Sequence, residues 1–97
     1  VRVSENRRYL VQDGRPFFYL ADTAWKLFTA PAEEEARHYL RTRREQGFSV
    51  IMPVLATERA RGEEGERSAF VDDDPDRPDE QFFERVDRLV AYANGLG

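Results

Sequence analysis

The chain has 97 residues, 40% of them hydrophobic and 12% aromatic, which is material for one globular unit and not for two. Charged residues make up 35%, but both signs are interspersed and the net charge is only -4. That balance argues against the basic stripe of a nucleic-acid binder and against the uncompensated charge of a disordered tail. No apolar run approaches the ~20 residues that span a bilayer, and Val1-Arg2-Val3-Ser4 carries no signal-peptide core, so no membrane partner is expected. With no cysteine there is neither a disulfide framework nor a thiolate metal site, and the compartment stays open.

Arg8 to Gln12 reads as a short strand, and Asp13-Gly14 as the two-residue hairpin turn whose central positions both want positive φ. Pro16 fits the start of a returning strand, where no ladder N–H is needed. Phe17 to Ala21 then runs apolar without alternation, which predicts a strand covered on both faces, as in parallel sheets.

A helix follows. Pro31 stands where a first-turn proline belongs, and Glu33-Glu34-Glu35 put negative charge at the positive end of the helix dipole. Ala36, Tyr39 and Leu40 recur at helical spacing, whereas Arg37, Arg41, Arg43 and Arg44 lie mostly off that face. Gly47 is the stop signal. Phe48 to Met52 is a second buried-strand pattern, reached by a crossover of the length a βαβ unit requires. Pro53 predicts that the ladder bulges or ends there.

From Thr57 to Pro78 the chain is polar and charged, with Phe70 and Val71 as its main apolar anchors, and reads as a long, weakly held loop. Asp79 is a capping residue, and Phe82, Val86, Leu89, Val90 and Ala93 form the stripe of an amphipathic helix that Gly95 closes. The order is hairpin, strand, helix, strand, long loop, helix. Two parallel strands cannot bury both faces with this complement. The expectation is an α/β fold in which residues 1–97, one domain segment, form the N-terminal part of a larger sheet or (β/α)8 barrel, preceded by a β-hairpin.

Parallel α/β folds bind ligands at the carboxyl ends of their strands, which singles out Asp22, Thr23 and Trp25 after the first strand and Glu58 after the second. GRPFFYLADTAWKLF, EEARHYLRTRREQGFSVI and FVDDDPDRPDEQFFERVDRLV, in this order and spacing, resemble the opening of the apiosidase-like glycoside hydrolases, a group related to glycoside hydrolase family 140. The likeness runs from about Val3 to Gly97. It implies a (β/α)8 barrel that cleaves glycosidic bonds of plant-type polysaccharides or oligosaccharides, such as those releasing apiose from pectin. It also implies no cofactor or metal, and catalytic carboxylates on later strands, so none is assigned here. Asp22, Thr23, Trp25 and Glu58 carry over as contacts to a carbohydrate substrate, with the rest of the barrel as the segment's partner. Two departures stand out: Ala32 replaces the expected Ser or Thr cap, and Arg59 to Arg67 is more charged than the usual Gly/Asn-containing loop.

Read without the resemblance, Asp22 is a turn residue accepting backbone N–H bonds, Thr23 bonds the backbone locally, and Glu58 is a solvated loop carboxylate. Two readings fit Trp25: a core residue under the first helix, or an apolar platform for a sugar ring. His38, the single histidine, lies four residues after Glu34 and reads as a surface pair. Asp72 to Asp76 lacks the glycine and terminal glutamate of an EF-hand loop and reads as a solvated run before a helix. Two other classes compete. One is a barrel of different chemistry, for which the single lysine, Lys26, is poorly placed; the other is a stand-alone carbohydrate-binding or interaction module without catalysis.

Overall fold

A computed structural model describes residues 1–56 and 66–97. Its first layer is an antiparallel sheet in the order β1 (Arg2–Val3), β2 (Leu10–Gln12), β3 (Arg15–Phe17). The predicted turn is present: Asp13 and Gly14 have φ of 51° and 77°, and Gln12 pairs with Arg15 across them. Pro16 lies within β3, which is tolerated because β3 is an edge strand. The turn into β2 is held by Ser4, whose buried hydroxyl donates to Asn6 Oδ1 at 2.8 Å and accepts from the N–H groups of Arg8 and Tyr9. β1 is an element the sequence did not signal.

The second sheet is the parallel pair β4 (Ala21–Ala24) and β5 (Val50–Pro53), joined through α1 (Glu33–Glu45). The βαβ crossover is as expected, but the first strand is shifted. It begins at Ala21, where the sequence pattern placed its end, and Phe18 and Tyr19 are exposed rather than buried. β3 stops at Phe17, opposite Leu10, and Phe18 to Leu20 span the gap between the two sheets. Hydrophobicity alone could not separate a strand covered on both faces from a linking segment with one face open. The β5 ladder ends at Pro53, as the missing N–H requires.

The start of α1 shows how an alanine cap is compensated. Ala32 has no side-chain acceptor, but Glu35 Oε2 accepts from the Ala32 N–H at 2.9 Å, half of a capping box. The end is a Schellman motif. Gly47 adopts φ 89°, the Phe48 N–H reaches Arg43 O, and the Gly47 N–H reaches Arg44 O, each at 3.0 Å. α2 (Glu80–Gly95) is capped by Asp79, whose carboxylate accepts from Gln81 and Phe82 N–H.

One core results: Leu27, Phe28, Ala36, Leu40, Ala69, Phe82, Val86 and Leu89 are buried together, with Ala24 and Ile51 packed on them from the strands. The arginines off the apolar stripe of α1 also join the helices. Glu33 takes Arg37 from its own helix and Arg88 from α2, while Arg41 donates to Tyr92 Oη at 2.9 Å and Arg44 Nε to Leu96 O at 2.9 Å.

The segment leading into α2 departs from expectation. Ala69 is buried, Phe70 bridges Pro78, the Asp79 N–H reaches Ala69 O at 2.8 Å, and the Val71 N–H reaches Arg77 O at 2.8 Å. A 3-10 turn at Val71–Asp73, with Asp72 and Asp73 at φ of 54° and 56°, closes this tight hairpin-like connection. Ala69 and Phe70 therefore anchor this segment on the core, while its turn, Asp72 to Pro78, is mostly exposed. The aspartates bond locally: Asp72 pairs with Arg77, Asp73 accepts from Ser68 Oγ, and Asp74 accepts the Asp76 N–H. The earlier part of the predicted loop, with Glu58, lies outside the described residues.

Candidate functional site

Side chains alternate along a strand, so the β4–β5 register assigns each residue to a face. Asp22 is opposite Ile51 and Ala24 opposite Pro53; Ile51 and Ala24 pack on the helix side, and Asp22 points with them towards α1. Thr23 pairs with Met52 on the other face, and both are exposed. Asp22 and Thr23 thus leave neighbouring positions in opposite directions. Asp22 is the second residue of the strand rather than a residue beyond its end.

Two residues of α1 meet Asp22. The Tyr39 hydroxyl donates to Asp22 Oδ2 at 2.6 Å, and Arg43 Nε donates to the same oxygen. Tyr39 and Arg43 are four residues apart, one helical turn, so both reach the strand from one stripe. Arg43 is fixed in turn: its Nη1 donates to Gln46 Oε1 at 2.8 Å, and its guanidinium lies 4.8 Å from the centre of the Tyr39 ring and 5.6 Å from that of Phe48. The Tyr39 bond, then the Arg43 bond, lower the Asp22 pKa below its ordinary value. Burial, reinforced by the bond to Asp22, raises that of Tyr39. A carboxylate shifted this way is a standing anion and hydrogen-bond acceptor. It is unsuited to general-acid work, which needs a raised pKa.

Beyond Ala24 the chain turns sharply. The Leu27 N–H reaches Ala24 O and the Ala30 N–H reaches Lys26 O, placing Leu27 and Phe28 in the core while Trp25 stays outside. The tryptophan is 69% exposed, which decides against the core reading of its ring. Its loop is nevertheless held firmly. Buried Arg85 donates to Phe28 O and Pro31 O, and Arg67 donates to Thr29 O and Pro31 O. Lys26 pairs with Glu66 at 2.7 Å across the same loop.

Asp22, Thr23, Trp25, Glu35 and Tyr39 border one open cavity of about 330 Å³ at this end of β4, at the lower end of the range for small-molecule sites. Three of the four residues singled out from sequence are therefore brought together, and Glu58 lies outside the described residues. Tyr39 and Arg43 are site residues that the sequence did not single out: the first belongs to the apolar stripe of α1 and the second lies off it. Their i,i+4 spacing was visible, but not that this turn of α1 faces the strand. A second, larger cavity of about 580 Å³ runs between the hairpin and the helices, lined mainly by apolar side chains such as Leu10, Phe17, Ile51, Val90 and Leu96.

The geometry is that of a βαβ unit with a charged, aromatic-rimmed recess at a strand end. No curated protein matches this chain. The family model described as apiosidase-like, catalytic domain, matches residues 4–97. With that match covering nearly every residue, the chain belongs to the apiosidase-like catalytic domain family, whose membership supports a glycoside-hydrolase-like function.

Proposed function

We propose that the chain is the opening part of a (β/α)8-barrel glycoside hydrolase acting on plant-type polysaccharide or oligosaccharide, and that it contributes sugar-subsite residues. In this reading Asp22 accepts hydrogen bonds from sugar hydroxyls and the Trp25 ring packs against the apolar face of a sugar, with Thr23, whose side chain leaves β4 on the opposite face, and Glu58 as further contacts. The catalytic carboxylate pair belongs to barrel strands outside these 97 residues, and the segment alone is inactive. Glycoside hydrolysis requires two carboxyl groups about 5–9.5 Å apart in distinct protonation roles. Asp22, held as an anion, fills neither the acid role nor a pair by itself.

The observation that carries this reading is the exposed Trp25 ring at the rim of a recess that also contains the ionised Asp22, at the carboxyl end of a parallel strand. The barrel reading has separate support. Ala21, Thr23, Val50 and Met52 occupy the sheet face away from the helices, the face that lines the interior of a closed barrel.

The test is Asp22→Asn, which keeps the shape and removes the charge, in the complete polypeptide that carries this segment. Turnover of an apiose-containing pectic oligosaccharide is measured together with thermal unfolding. The expected result is a loss of kcat/KM of roughly ten- to a hundredfold per folded molecule. Full activity per folded molecule contradicts the subsite assignment.

A further inference from the structure

We propose that Tyr39 and Arg43 are positioning residues for ligand binding: converging on one carboxylate oxygen from successive turns of α1, they hold Asp22 in a single rotamer at the cavity wall. The inference rests on the sugar-subsite reading of Asp22. Strand alternation sends the Asp22 side chain towards the helix layer, beside Ala24 and Ile51, where an unheld carboxylate has apolar neighbours and several rotamers. The two donors remove that freedom. Both bonds fall on Oδ2, and the donors are themselves restrained, Tyr39 by half-burial and Arg43 by Gln46 and two aromatic rings. All three residues of the clamp border the cavity that Trp25 rims, which an ion pair serving only to dock α1 on β4 would not require. Preorganising an acceptor in this way spares a ligand the ordering cost on binding.

Lys26 and Glu35 border the same cavity, Lys26 facing Glu66 and Glu35 accepting from the Ala32 N–H. Among the described residues, the groups that set the Asp22 pKa are Tyr39 first, then Arg43, with burial opposing them and the Thr23 N–H adding to them. The Asp22 titration therefore reports mainly on Tyr39 and Arg43, which lower it.

The experiment compares Tyr39→Phe, Arg43→Gln, Arg43→Lys and Asp22→Asn in the complete polypeptide. It reads KM and kcat on the pectic oligosaccharide, thermal unfolding, and the titration of the Asp22 carboxyl carbon by NMR. The clamp predicts that Tyr39→Phe and Arg43→Gln each raise KM by roughly three- to tenfold with a smaller change in kcat. Both should move the Asp22 titration up towards its ordinary value, and Arg43→Lys should recover part of each effect because it keeps the charge but loses the planar fork. The clamp is overturned if Asp22→Asn impairs turnover while Tyr39→Phe and Arg43→Gln keep wild-type KM and titration. Lowered melting temperatures with unchanged KM in the folded fraction overturn it too, by making the contact purely structural. If Asp22→Asn itself keeps wild-type KM, the subsite reading fails first and the clamp has nothing to position.

Discussion

On the helix side of β4 and β5, Ala24 and Ile51 pack into a core that contains Ala36, Leu40, Phe82 and Leu89, the last only 1% exposed. On the opposite side Thr23 and Met52 stand open, with Met52 43% exposed, and the neighbouring Phe18 is 77% exposed. The two faces of one small sheet differ in environment at Thr23 and Met52, while Ala21 and Val50 beside them are half-buried. A parallel sheet is normally covered on both faces, so the open face is the one whose environment the described residues leave unfilled. The site occupies the boundary between them: Asp22 belongs to the finished face and is clamped, whereas Thr23 belongs to the open one and is not.

The comparison breaks most visibly in the core. Leu89→Ala removes the largest fully buried side chain among the described residues and should destabilise the chain by about 2–5 kcal/mol, read as a lower urea midpoint. A cost below about 1 kcal/mol contradicts a packed helix side.

A smaller effect is expected from acid. Asp22 and Glu33 both have pKa values lowered in the fold, the first chiefly by Tyr39 and then Arg43, the second chiefly by Arg88 and then Arg37. A lowered native pKa means that the unfolded state takes up protons first. The stabilisation is therefore complete above the ordinary values of 3.8 and 4.5, and is lost as pH falls through the native ones. Urea midpoints of the wild type and of the Asp22→Asn, Glu33→Gln double variant should differ at about pH 6 and converge in strong acid. Partial exposure and salt screening keep the difference modest. A difference that grows on acidification contradicts the assignment.

Much of the finished side was legible in the sequence. Asp13-Gly14 announced its turn because two successive positive φ angles demand such residues, and Gly47 and Asp79 announced helix ends by the same local chemistry. The apolar stripes of both helices were visible as periodicity. The open side was misread for an equally physical reason: Phe17 to Ala21 is apolar whether or not anything covers it, so exposure of Phe18 and Tyr19 left no trace in the pattern. The anchoring of the segment before α2 was hidden because Ala69, a small residue among charges, supplies the buried contact. The site was half legible. LADTAW pointed to the right place, but its Ala21–Ala24 is the strand itself and not the turn after one, and the pairing of Asp22 with Tyr39 and Arg43, 17 and 21 positions away, is set by tertiary packing.

A small stability effect should come from the open face of this chain. Met52→Ser in this chain should shift stability by no more than about 0.5 kcal/mol, because little is packed on the side chain beyond the Tyr19 hydroxyl, 3.2 Å from Met52 Sδ. In a complete barrel the same change buries a hydroxyl among interior side chains and should cost about 2 kcal/mol or more. Equal small costs in both settings contradict the proposal that this face becomes a barrel interior.

The central proposal is that the end of β4 binds sugar, and Trp25 tests it most directly because its ring is open to solvent and adds little to the core. Trp25→Ala in the complete polypeptide should leave the melting temperature within a degree or two, as expected for an exposed side chain. The same variant should lower kcat/KM on the pectic oligosaccharide by roughly tenfold or more. A wild-type kcat/KM with an unchanged melting temperature would show that the ring touches no substrate, and the account of this site would be wrong.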